Sequence, residues 1–243
     1  MDYLLDSPEA ERLFQEIISQ IKPLQNGEVV NSMIKRGVEY KVNYGVSIPL
    51  LREMASKYSN NHLLALKLWN KQWRETMILA TLLEEPDQVT ENQMDFWVRN
   101  FVSVEIAEQA AMNLFSKTSL AYEKAFEYCI GKKLLVKIFG LLMIGRLALT
   151  DRQASDDRFD PFFDLMSPLS KDPQLSIVFS RVYIQIGMRN LNLNGIAIKH
   201  AIILKTIDSK TAHENAEHIL SEIDCGDALA IVKNRSSKYL QGN

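Results

Sequence analysis

Two neighbouring segments, GVSIPLLREMASKY (Gly45 to Tyr58) and LALKLWNKQWRETMILATLLE (Leu64 to Glu84), decide how this chain folds. In the second, Trp73, Met77, Ala80 and Leu83 recur at three- and four-residue spacing, which places them on one side of a helix. In the first, Ser47 stands where a hydroxyl can cap free backbone amides. Pro49 falls in a first turn, where a missing N–H costs little, so a helix spans about Pro49 to Tyr58. Gly45 and Pro49 turn the preceding stretch, Gly37 to Pro49, into an ordered turn. Asn60 or Asn61 opens another helix from His62 to Trp69, and Gln72 to Leu83 follows it. The pattern is short helices at short intervals.

Outward from this block the same period continues. Upstream, Leu13, Ile17, Ile18 and Ile21 mark a helix over Glu9 to Ile21 that Pro23 stops, and a shorter one spans Glu28 to Lys35. Downstream, Thr90 precedes Glu91 to Asn100 and Ser103 precedes Val104 to Phe115. Leu120 to Gly131 and Leu134 to Leu149 come next, then an exposed loop, TDRQASDDR, from Thr150 to Arg158. Helices resume over Phe159 to Met166, Leu175 to Leu191, Gly195 to Thr206, Ala212 to Leu220 and Gly226 to Asn234, leaving 235–243 as a flexible tail. Convincing alternating runs are absent. A chain of this kind is all-α, and serial antiparallel pairs bury their apolar stripes most economically as an α-solenoid. We read 1–243 as one helical-repeat domain, with a globular bundle as the alternative.

Composition agrees with a compact fold. The 243 residues are 47% hydrophobic and 24% charged, and 10 Gly with 7 Pro exclude collagen-like and low-complexity chains. Two cysteines, Cys129 and Cys225, make no disulfide framework, which fits a reducing cytoplasm. The first residues lack a basic stretch followed by an apolar run, so they do not read as an address. The longest apolar stretch, Leu134 to Leu149, is interrupted by Lys137 and Arg146 and reads as a buried helix, so no membrane partner is expected. Formal charge is −2, yet residues 1–130 carry 13 Lys and Arg against 18 Asp and Glu, whereas residues 131–243 carry 15 against 12. A basic face can therefore exist on the second half of an acidic protein.

No short catalytic motif stands out, and neither a metal nor a cofactor is expected. His213 and His218 are five residues apart and miss the spacing that puts two ligands on one helix face. The acidic pair Glu105 and Glu108, in SVEIAEQAAM, shares a face by its three-residue spacing. Such carboxylates either line a groove, where they can stabilise positive charge or act as acid or base, or simply face solvent. For Trp69, Trp73 and Trp97, core packing is the default.

The residues Gly45, Val46, Pro49, Leu51 and Arg52, followed by Leu68 and Trp69 and then Arg74, Glu75, Ala80 and Leu83, carry a family resemblance. This pattern resembles the early repeats of the bacterial DNA alkylation repair proteins, the HEAT-like repeat DNA glycosylase family, and it extends loosely to about Leu191. The resemblance implies a curved solenoid of antiparallel HEAT-like pairs that holds duplex DNA in its concave face. It also implies release of cationic alkylpurines by an Asp assisted by two Trp residues against the deoxyribose. Under it Glu108 takes the catalytic position, with Glu105 beside it, while Val104 and Ile186 stand where the two Trp residues would be. Lys137 and Arg189 are the implied phosphate contacts, with Lys133 and Arg146, and less directly Lys132 and Arg181, as neighbours.

Three functions compete at this stage. One is a duplex-DNA binder with weak N-glycosylase activity through Glu108; another is an inactive relative that recognises branched or altered DNA. The third is a helical scaffold whose groove receives a protein partner. The first two place the protein in the bacterial cytoplasm beside the nucleoid.

Overall fold

Short polar side chains set most of the helix starts, as the sequence suggests. The computed structural model describes residues 7–241, which fall into two compact units that divide between Leu120 and Ala121. Both are helical, and among the described residues the only β pairing is an isolated bridge between Val42 and Trp73.

In the first unit Ser7 caps α1 (Pro8–Ile21), Asn26 caps α2 (Gly27–Lys35), Ser47 caps α3 (Ile48–Ala55) and Asn61 caps α4 (His62–Lys71). After α5 (Arg74–Leu83), Thr90 caps α6 (Glu91–Arg99) and Ser103 caps α7 (Val104–Asn113). Gln72 takes the left-handed conformation, φ 57°, which ends α4 and moves the start of α5 two residues past the expected Gln72. The two-residue turn folds α5 back on α4. Around this pair, α1 packs on α4, while α3 and α7 pack on α5. Trp69 and Trp97 stack in the core with ring centres 4.1 Å apart, and Phe101 and Phe115 meet them edge-on, so both tryptophans serve packing.

Glu84 closes the end of α5 with a buried carboxylate. It accepts from the Glu85 amide at 2.8 Å and the Gln93 side chain at 2.6 Å, and His62 Nδ1 lies 2.9 Å away. Burial raises its pKa above the ordinary value of 4.5, and those hydrogen bonds oppose the rise only in part. Because the folded value is the higher one, Glu84 favours the folded state below the carboxylate range and loses that contribution as pH rises through its folded value. Glu84→Gln, which mimics the protonated acid, is expected to gain stability relative to the native chain at neutral pH. That gain should shrink as pH falls into the carboxylate range, and thermal melts of both proteins across this window check it.

The second unit contains α8 (Ala121–Cys129), α9 (Leu134–Thr150), α10 (Asp160–Leu169), α11 (Ser176–Gly187), α12 (Leu191–Leu204), α13 (Lys210–Ile223) and α14 (Gly226–Gln241). α8 pairs with α9, α9 packs on α11, and α11 packs on α12 and α13. The α8–α9 approach is close at Gly140, where a Cβ would lie 2.6 Å from the Cys129 nitrogen. Cys129 is buried and its thiol is pushed up to about 12 by burial, whereas Cys225 is exposed ahead of α14.

Several boundaries in this unit differ from the sequence reading. Asn190 accepts from the Leu193 amide at 2.9 Å, so α12 begins at Leu191 and Gly195 lies inside it; α11 accordingly stops at Gly187. Ser209 starts α13 at Lys210, earlier than Ala212. α14 continues to Gln241, so most of the segment expected as a tail is helical, and residues 242–243 lie outside the described residues. Among the described residues no helix is long and apolar enough to cross a membrane.

The predicted all-α class thus holds, and within each unit neighbouring helices pack in series as the repeat reading requires.

Candidate nucleic-acid interface

The motif residues build a frame before they build a site. Gly45 sits at φ 70°, and a Cβ there would lie 2.3 Å from the Asn26 carbonyl oxygen at the start of α2, so no side chain fits. The loop this permits delivers the Tyr44 and Val46 amides to the Glu75 carboxylate, at 3.1 and 3.2 Å. Arg74, only 3% exposed, donates to the Val46 carbonyl at 2.7 Å and to Glu75 at 3.0 Å. One Arg-Glu dipeptide at the first turn of α5 thereby fixes the loop that leads into α3.

The same guanidinium reaches α7. Nε and a terminal nitrogen of Arg74 donate to the two Glu105 oxygens at 2.8 and 2.7 Å, a fork-to-fork pair. Tyr40 adds a third hydrogen bond to Glu105 at 2.9 Å, and its hydroxyl lies 2.5 Å from Ser103 Oγ. Burial and the neighbouring carboxylate push the Tyr40 phenol above its usual range, which keeps it a donor. Glu105 is therefore a structural tie between α5 and α7, with both of its oxygens engaged by Arg74 and Tyr40. Glu108, one turn later, is half-buried, and Val104 in the first turn is 44% exposed. The sequence does not pair Tyr40 or Arg74 with Glu105, although Arg74–Glu75 belongs to the motif that carries the resemblance.

In the second unit the implied phosphate residues separate into two groups. Lys132 and Lys133 are exposed at the entry to α9, and Lys137 is half-exposed in its first turn. α9 starts at Lys133 with no side chain accepting from its free amides, so the partial positive charge of the helix end adds to three ammonium groups. Arg146, farther along α9, is half-buried, and its Nε is buried without a hydrogen-bond acceptor among the described residues.

Arg189 belongs to the interior. It is 5% exposed, donates to the Ala148 carbonyl at 3.1 Å and the Ala154 carbonyl at 2.8 Å, and lies over the Phe159 ring at 4.9 Å. Its expected phosphate contact is thus corrected to a clamp between the end of α9 and the loop that follows it. Ile186 is likewise corrected: it is 0% exposed, a core side chain of α11 and not a groove residue.

Beside the α9 lysines lies a feature the sequence did not reveal. A cavity of about 720 Å³ is bounded by the end of α8, the start of α9 and one side of α10, with Lys132 and Lys137 in its wall. Phe126, Ile130, Leu165 and Leu169 supply apolar lining, and Asp164 is its acidic residue.

Comparison with known proteins agrees with this frame. Residues 17–132 match the family model described as DNA alkylation repair enzyme. A solved structure reported as "A new family of proteins related to the HEAT-like repeat DNA glycosylases with affinity for branched DNA structures" shares 16% sequence identity. It covers 89% of this chain and 96% of its own at a TM-score of 0.72, which shows a common fold. No curated protein matches. The matched residues include Gly45, Arg74, Glu75 and Glu105, whose contacts hold the first unit together, and through this segment the chain is similar to the DNA alkylation repair enzymes.

Proposed function

We propose that this protein binds DNA of branched or otherwise altered shape, and that efficient glycosylase turnover is not its principal activity. The observation that carries this reading is the gathering of Lys132, Lys133 and Lys137 at the uncapped start of α9. Phosphate oxygens are natural ligands for such a cationic helix end, and phosphate contacts position a protein on DNA without reading sequence. The structurally similar protein described above comes from a family with affinity for branched DNA, which supports the preference for shape. On the chemical side, Glu108 retains a carboxylate at the position implied for catalysis. Val104 and the buried Ile186, however, supply no aromatic face for a sugar with developing positive charge.

Titration of a labelled four-way junction, a three-way junction and an intact duplex tests the proposal. Saturable binding that is tightest for the junctions and weakens between about 50 and 200 mM salt is the expected result. Absence of saturable binding to every probe overturns it in favour of a protein-interaction scaffold. Release of alkylated purines that is rapid in the native protein and abolished in Glu108→Gln would restore the glycosylase reading. Lys137→Ala is expected to weaken junction binding roughly three- to ten-fold and to lower the slope of log affinity against log salt by about 0.9, the signature of one lost phosphate contact.

A further inference from the structure

Resting on the DNA-binding reading, we propose that the cavity between α8, α9 and α10 receives one unpaired nucleotide, its base against Phe126 and its phosphate on Lys132 and Lys137. Phe126 is held as a platform: it stacks on Phe162 with ring centres 3.8 Å apart and planes 13° from parallel, and it lines the cavity. Every nucleobase presents a π face to such a ring, so stacking is strong without demanding a sequence. Ile130, Leu165 and Leu169 line the space beside the ring, and the volume of about 720 Å³ lies in the range of cavities that hold small ligands.

Charge selects this occupant over an apolar peptide. Two lysines in the wall face a single carboxylate, Asp164, and the start of α9 beside them has free amides. An anion is thus favoured at one side of an otherwise apolar space, the layout of a nucleotide with its flat base and charged phosphate. Branched and bulged DNA expose unpaired nucleotides at little cost, whereas an intact duplex must first unstack one. The cavity therefore supplies a physical reason for preferring altered DNA.

The test compares three probes: an intact duplex, the same duplex with a single unpaired deoxyadenosine, and the same bulge with an abasic site. The deoxyadenosine bulge should bind about five- to hundred-fold tighter than the abasic bulge, the range expected from stacking one base. Ile130→Ser and Leu165→Ser should bring that ratio down at least threefold while binding to intact duplex stays unchanged. Ile130 is 69% exposed, so its replacement does not threaten folding, and a thermal melt controls for Leu165. Equal affinity for the two bulges overturns the cavity proposal while leaving DNA binding in place. So does a ratio that survives in both variants when they melt like the native protein. No binding to any probe, accompanied by binding of an acidic peptide, overturns both readings together.

Discussion

Methionine in place of Arg74 is expected to destabilise the protein by about 3–5 kcal/mol, the cost of breaking a buried charge network by removing one partner. The guanidinium satisfies two carboxylates at once, and Glu75 is fully buried. Methionine fills similar volume, so the loss measures the orphaned charges and the unpaired Val46 carbonyl more than a void. For a chain of this size the fall in melting temperature is about 6–20 °C. Glu105→Gln is the informative companion: it keeps an acceptor for Arg74 and Tyr40 and should cost clearly less. A thermal or urea melt of both variants decides the matter, and a loss below about 1 kcal/mol for Arg74→Met would show that the network contributes little.

An effect of the same order, about 3–5 kcal/mol, is expected for Arg189→Met. Two hydrogen bonds from a charged donor are lost, each worth roughly 1.5–3 kcal/mol, and the Ala148 and Ala154 carbonyls lose a partner. The contact over Phe159 goes with them. DNA affinity per folded molecule should stay near the native value, which separates this variant from Lys137→Ala, where affinity falls and the melt does not move. Junction titrations well below both melting temperatures make the comparison. Native stability with lost DNA binding in Arg189→Met would return Arg189 to the phosphate surface.

The contrast between these residues shows what a sequence carries. Ser47, Asn61, Thr90 and Ser103 are legible as helix starts because a cap is a local event, complete within three residues. The α11–α12 boundary is not, since apolar periodicity runs through Leu191 and only the Asn190 side chain interrupts it. At the site, the lysines of α9 are legible because charge next to a helix start is again local. The fate of Arg189 depends on a loop about 35 residues upstream folding back to present the Ala154 carbonyl. Glu105 likewise meets an arginine 31 residues away, and the cavity exists only where α10 lies beside α8. The Gly45 and Arg74–Glu75 pattern carries the resemblance from sequence alone, but its reason, a carboxylate gripping two loop amides, is a tertiary fact.

The unequal burial of the two cysteines gives the native chain a ready site for a probe. Cys129 is shielded and holds its proton to well above neutral pH, while Cys225 is open to solvent just before α14. A maleimide dye at neutral pH will therefore mark one position without any cysteine first being removed. With a second dye on each arm of a junction in turn, energy transfer from that position will report which arm lies nearest the second unit. It will also report whether a single orientation is adopted, a question that affinities alone leave unanswered.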